Sequence, residues 1–109
     1  MDKKDVLNIA KKYARVVKQK FNPQQILLFG SYVKGTFRDE SDIDIAVVFF
    51  DYDDSIDMQL ELMRLRRKID SRIEPHPFRE KDFILSDPFV AEILKYGEKV
   101  EISRPGKSD

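Results

Sequence analysis

The sequence has no cysteine, no tryptophan, a single histidine, four glycines and no net charge across its 109 residues. Without cysteine there are no disulfides, no thiol catalysis, no thiolate zinc sites and no iron–sulfur ligation. No apolar run approaches the roughly 18 residues of a membrane helix; the longest extends from Ile45 to Phe50. The opening Met-Asp-Lys-Lys-Asp lacks the apolar stretch that a signal peptide places after its basic residues, so a cytoplasmic protein is expected. A balance of 20 Lys+Arg against 20 Asp+Glu leaves no uncompensated basic surface, which disfavours a general nucleic-acid or membrane-surface binder. The length allows one modest core, hence a single domain over residues 1–109, with 103–109 expected as a frayed tail.

What is present is segregated. Met1 to Gln25 carries seven basic residues against Asp2 and Asp5, whereas Asp39 to Glu61 carries nine acids and no Lys or Arg. Nine acids in one window repel one another unless solvent, salt or a bound cation offsets them.

Helix and strand signals alternate. Val6, Ile9, Ala10, Tyr13, Val16 and Val17 recur at helical spacing, predicting a helix over about Lys3 to Lys20 that Asn22-Pro23 ends. The run Ile26 to Phe29 reads as a buried strand stopping at Gly30-Ser31, and Asp42 to Phe50 as a second strand with an alternating start. Asp51 to Ser55 reads as a solvated turn, and Asp54 or Ser55 could cap a helix to about Ile69 with a stripe of Met58, Leu62, Leu65 and Ile69. Ile56, Leu60 and Met63 lie beside that stripe, and Arg64 to Lys68 crowd the negative end of the helix dipole. A short strand over Ser71 to Pro75 is expected to break at Pro75 and Pro77. Asp87-Pro88 starts a helix through Tyr96 that Gly97 stops, and Lys99 to Ile102 reads as an edge strand. The fold class is a small α/β domain with a mixed sheet.

Asp42 and Asp44 are two apart on a predicted strand, so both carboxylates project from one side while Ile43 and Ile45 enter the core. Such a pair is stable when one member is protonated or a hard cation sits between them, and magnesium suits it because one or two carboxylates hold it while water and phosphate oxygens fill the other positions. Upstream, Gly30 lets the backbone approach a phosphate, Ser31 offers an N–H and a hydroxyl, and Lys34 and Gly35 follow within a turn. His76, between Pro75 and Pro77, could contact a nucleotide or an acceptor, although a lone histidine without ligand partners is more often structural or exposed.

Gly30-Ser31, Lys34-Gly35 and Ser41-Asp42-Ile43-Asp44 together resemble the signature of the minimal nucleotidyltransferases of the DNA polymerase beta-like superfamily, and the surrounding elements fit that family's plan. The resemblance implies that Gly30 and Ser31 grip a triphosphate, with Lys34 where many members carry Arg. It implies that Asp42 and Asp44 hold magnesium, two ions in such enzymes, and that a third carboxylate lies on the next strand. Glu74 is the candidate, a metal ligand or a base for the attacking hydroxyl. Asp70 competes for that place but sits at a helix end where an acid meets the unfavourable dipole pole. The implied reaction is transfer of a nucleoside monophosphate, AMP from ATP, to an acceptor hydroxyl with release of pyrophosphate. The smallest members are often paired with a helical HEPN-domain protein in toxin–antitoxin-like modules, so such a partner or a second copy of this chain is expected to supply the acceptor surface. The alternative is a non-catalytic binding module that keeps the fold and neutralises its partner by contact. A nucleic-acid binder using the basic first helix is disfavoured by the neutral total.

Overall fold

A computed structural model describes residues 2–38 and 40–100. The first helix, α1 (Lys3–Phe21), starts where the Asp2 carboxylate accepts a hydrogen bond from the Asp5 N–H (2.9 Å). It ends where Asn22 takes a left-handed conformation (φ 52°) ahead of Pro23. Val6, Ala10, Tyr13, Ala14 and Val17 are buried along it, and its cations face outward. The strand β1 (Gln25–Phe29) leads into a single helical turn, α2 (Ser31–Lys34), and β2 (Ile43–Phe49) returns antiparallel to β1. The helix α3 (Ser55–Leu65) is capped by Asp54, whose carboxylate accepts from the Ile56 and Asp57 N–H groups, and carries the chain across to β3 (Ile73–Arg79), parallel to β2. A last helix, α4 (Pro88–Tyr96), is capped by Asp87, and β4 (Glu98–Lys99) pairs antiparallel with β1. The sheet order is β3-β2-β1-β4.

Three layers result. On one sheet face Ile26, Leu28, Ile43, Ile45, Val47, Phe49 and Ile73 form the main core with α1 and α3. On the other face Leu27, Phe29, Ala46 and Val48 pack against Ile93 of α4 and against Phe78 and Phe83. Met58, Leu62 and Leu65 of α3 meet the main core as their spacing predicts. No helix among the described residues is long and apolar enough to cross a membrane.

Four expectations need correction. The third strand does not stop at Pro75 but runs through Pro77 to Arg79. Successive backbone groups of a strand point to opposite edges, and β3 is an edge strand, so Ile73, Pro75 and Pro77 turn theirs away from β2 and no ladder hydrogen bond is lost. The carbonyls on that side accept from α3 and the turn after it instead: Arg66 Nη1 donates to Ile73 O (2.9 Å) and Gln59 Nε2 to Pro75 O (3.0 Å). Second, the α-helix stops at Leu65 rather than Ile69, its last turn tightening to a 3₁₀ turn over Arg66–Lys68. Third, Asp51 to Ser55 is not merely solvated. The Arg79 guanidinium clamps it, donating to Asp51 Oδ1, Tyr52 O, Asp53 O and Ser55 Oγ and stacking on the Tyr52 ring. Fourth, β4 begins at Glu98; Glu101, Ile102 and the tail lie outside the described residues.

Tyr13 ties α1 to α3. Its ring is buried, and its hydroxyl donates to the carbonyl of Leu62 (2.7 Å) in the last turn of α3, where carbonyls lack helical partners. Burial pushes the phenol far above its ordinary value of 10.0, so the stability it contributes is whole below that pH and is lost as pH rises past it. Tyr13→Phe is expected to lower unfolding free energy by about 1–2 kcal/mol at neutral pH, and denaturant titrations should show a shallower loss above about pH 10 than in the unsubstituted protein.

Candidate active site

The candidate site lies on the α4 face of the sheet, and one position of β2 creates it. Six of the seven β2 residues are buried; Asp44 is the exception, facing the same way as Phe29, its register partner in β1, and Glu74, its partner in β3. Asp42, two residues earlier, is exposed just before the strand begins. The loop before it is held by Ser41, whose hydroxyl accepts from the Arg38 N–H (2.7 Å) and whose N–H donates to Arg38 O. The motif serine therefore shapes the approach to Asp42.

Beside Asp44, β1 ends at Gly30 with φ +84°, a left-handed conformation that side-chain-bearing residues rarely adopt. A β-carbon there would overlap Oδ2 of Asp44 and lie 3.2 Å from its Cγ. Glycine is required both by the backbone turn and by the carboxylate abutting it. Ser31 then opens the single turn α2, whose first N–H groups have no helical acceptor.

A cavity of about 380 Å³ opens here, within the range of small-molecule sites. Gly30, Ser31, Lys34 and Asp44 all line it, together with Thr36 and His76. Asp42 and Glu74 are not among its lining residues, although the register puts Glu74 beside Asp44 on the same sheet face. Asp70 is committed elsewhere: its carboxylate takes the backbone N–H, Nε and Nη2 of Arg72, and that guanidinium holds it below the usual carboxylate range.

The other wall is aromatic and, His76 apart, comes from residues that pattern reading does not single out. Phe29, His76 and Phe89 form a triangle with ring centroids 5.1–5.8 Å apart. His76 Nε2 stands 3.2 Å from Asp44 Oδ1, so this histidine lines the cavity beside the carboxylate. Phe89, Glu92 and Tyr96 reach the cavity from one face of α4, a spacing of three and four that was available as a signal. Lys34 Nζ sits 2.8 Å from Glu92 Oε1 and 5.5 Å from the Tyr96 ring centroid, and the Glu92 hydrogen bond raises its ammonium above the usual lysine range.

Among the described residues no three His, Asp or Glu side chains converge into a set able to hold a metal ion. The donor chemistry nevertheless suits a hard divalent cation: Asp44 and Glu74 offer carboxylate oxygens from adjacent strands on one sheet face, and Asp42 stands just before β2.

Residues 11–100 match the polymerase beta nucleotidyltransferase family. The chain belongs to that family. Among curated nucleotidyltransferase relatives, a Methanocaldococcus jannaschii protein named as a candidate protein adenylyltransferase is 38% identical over 66 residues, covering 60% of this chain and 66% of the relative. A second such protein from the same organism is 34% identical over 50 residues, covering 46% of this chain and 51% of it. The chain thus spans between about half and two thirds of these relatives' lengths. A toxin–antitoxin crystal structure with AMP-PNP matches with a TM-score of 0.63 at 29% identity, over 85% of this chain and 73% of that one. A complex of the tri-AMPylated Shewanella oneidensis HEPN toxin with its MNT antitoxin matches with a TM-score of 0.59 at 25% identity, over 93% and 73% of the two chains. A candidate nucleotidyltransferase from Sulfolobus solfataricus, at 23% identity and a TM-score of 0.63 over 89% and 80%, shows the same nucleotidyltransferase fold.

Gly30→Ala is expected to lose about 2–4 kcal/mol of stability, from the positive φ and the collision with Asp44 together. In an Asp44→Ala background the same change should cost about 1 kcal/mol less, a coupling that a double-mutant cycle by chemical denaturation reads directly.

Proposed function

We propose that the chain is a magnesium-dependent adenylyltransferase that moves AMP from ATP to a hydroxyl on a HEPN-type partner protein in a toxin–antitoxin-like module. The observation that carries this is the convergence of Gly30, Ser31, Lys34 and Asp44 on one cavity, in a chain of the polymerase beta nucleotidyltransferase family. The names of its adenylyltransferase relatives, the AMP-PNP in one structural neighbour and the AMPylated toxin in another support the choice of nucleotide and partner.

In this reading Gly30 admits the triphosphate to the backbone, Ser31 donates to its oxygens and Lys34 neutralises it. Asp42, Asp44 and Glu74 would hold magnesium, two ions in enzymes of this kind, which supplies charge neutralisation on the attacking and leaving oxygens. The acceptor hydroxyl attacks the α-phosphorus, a new P–O bond forms, the bond to the bridging oxygen breaks, and pyrophosphate leaves; Glu74, where it is not a ligand, takes the hydroxyl proton. The Phe29, His76 and Phe89 rings, packed edge to face, give the cavity an aromatic wall against which one face of a purine can rest. Residues 1–109 act as one catalytic domain, and the partner brings its hydroxyl to the cavity mouth. The cytoplasm, which holds both ATP and magnesium, is the proposed setting.

A second reading, a binding module that neutralises its partner by contact, is favoured by one observation: no three of the described His, Asp or Glu side chains converge on one point. Incubation with α-labelled ATP, magnesium and the partner separates the two. Label is expected on the partner and to vanish with Asp44→Asn or on chelation; partner binding without any transfer of label establishes the contact-only module instead.

Glu92 competes with a triphosphate for the Lys34 ammonium. Glu92→Gln is therefore expected to tighten ATP binding several-fold and Lys34→Ala to weaken it, measured as the ATP concentration that half-maximally raises Tm.

A further inference from the structure

The face of α3 that points away from the core is not the polar surface expected of a solvated helix. Met58, Leu62 and Leu65 turn inward, yet Ile56 is 72% exposed and Leu60 50% exposed on the opposite side. Leu60, Met63 and Arg64 help to line a groove of about 410 Å³, slightly larger than the candidate active site. On the neighbouring flanks Gln59 and Glu61 are engaged, the first with Pro75 O and the second with Lys20 and Arg64. Between those flanks Ile56 and Leu60 stand exposed, and Arg64 reaches back to Glu61 at the edge of the face.

Its charges say what fits it. Helical spacing puts Ile56 and Met63 on one side of Leu60, and Asp57 and Arg64 on the other. A two-fold axis passing beside Leu60, perpendicular to the helix, reverses the helix direction while keeping each side on its own side. Leu60 then meets Leu60 of a second copy, Ile56 meets Met63, and Asp57 meets Arg64, each pair occurring twice. Beyond them the exposed Asp53 before the helix faces the exposed Arg67 after it. The acidic start and basic end of α3 make the surface complementary to itself in antiparallel array, which is what an isologous contact demands.

We propose that the outer face of α3 is a homodimer interface in which two copies of this chain pair their α3 helices antiparallel about Leu60. The surface lies on the α1/α3 side of the sheet, opposite the candidate active site, so dimerisation leaves both cavities open. A single helix pair is smaller than the ~800 Å² per partner of standard interfaces, so the dimer is weak and is sampled at about 10 µM to 1 mM.

Sedimentation velocity on the purified full chain tests this. The mass should rise from one copy to two with concentration, and added salt should weaken association because the outer pairs are exposed charges. Leu60→Glu should hold the protein monomeric throughout, with its melting curve unchanged because the side chain is half exposed. Asp57→Arg alone and Arg64→Asp alone should each weaken the dimer several-fold, and the two changes combined should restore it, since the reversed pairs again attract. A protein monomeric over the whole range overturns the proposal, as does a dimer indifferent to Leu60→Glu or a double reversal that does not recover. If Leu60→Glu leaves the oligomeric state alone and abolishes binding of a HEPN-type partner, the face belongs to that partner and the homodimer is excluded.

Discussion

A strand buried on both faces has to be covered from both sides, and β2 imposes that demand on the whole chain. Ile43, Ile45, Val47 and Phe49 call for α1 and α3 on one face, and Ala46 and Val48 call for α4 on the other. Its antiparallel partner β1 supplies the glycine turn, and its parallel partner β3 requires the α3 crossover. The order of elements follows from serving this one strand. Asp44 is the position where the covering fails, and α4 stands over it as a cavity wall instead of a seal. The candidate site is thus a gap in the second core, roofed by aromatic side chains that would otherwise have closed it.

Much of this was legible in the residues because the signals were local. Asp54 and Asp87 cap helices from their own first turns, and the β-branched run of β2 marks a buried strand without reference to anything distant. Gly30, Ser31, Lys34 and Asp44 could be grouped because family spacing stands in for folding. What stayed hidden depends on which edge of the sheet a segment occupies, or on a second element arriving from elsewhere. Pro75 and Pro77 forbid a central strand but not an edge, and sequence does not say which β3 is. His76 and the α4 wall reach the cavity only through register and packing over separations of tens of residues.

The nine acids between Asp39 and Glu61 are less of a single field than their clustering suggests. Asp54 spends its charge on a helix N-terminus, Asp51 on Arg79, and Glu61 on Lys20 and Arg64. Cations from distant parts of the chain disperse part of the repulsion, and of this cluster it is Asp44 that lines the cavity. On the opposite side of that cavity Lys34 is already matched by Glu92. Lys34 and Asp44 are thus each engaged before any ligand arrives, so a ligand that takes either one enters by exchange of partners.

The outward-facing prolines of β3 have a further effect. An edge strand that shows its N–H groups to water is a template on which another chain can add a strand. Here Pro75 and Pro77 have no N–H to offer, and Gln59 and Arg66 already occupy outward carbonyls at Pro75 and Ile73. The β3 margin of the sheet is chemically mute: it neither recruits a neighbouring strand nor seeds a fibril, and any company this molecule keeps along that side must be made through helices and side chains.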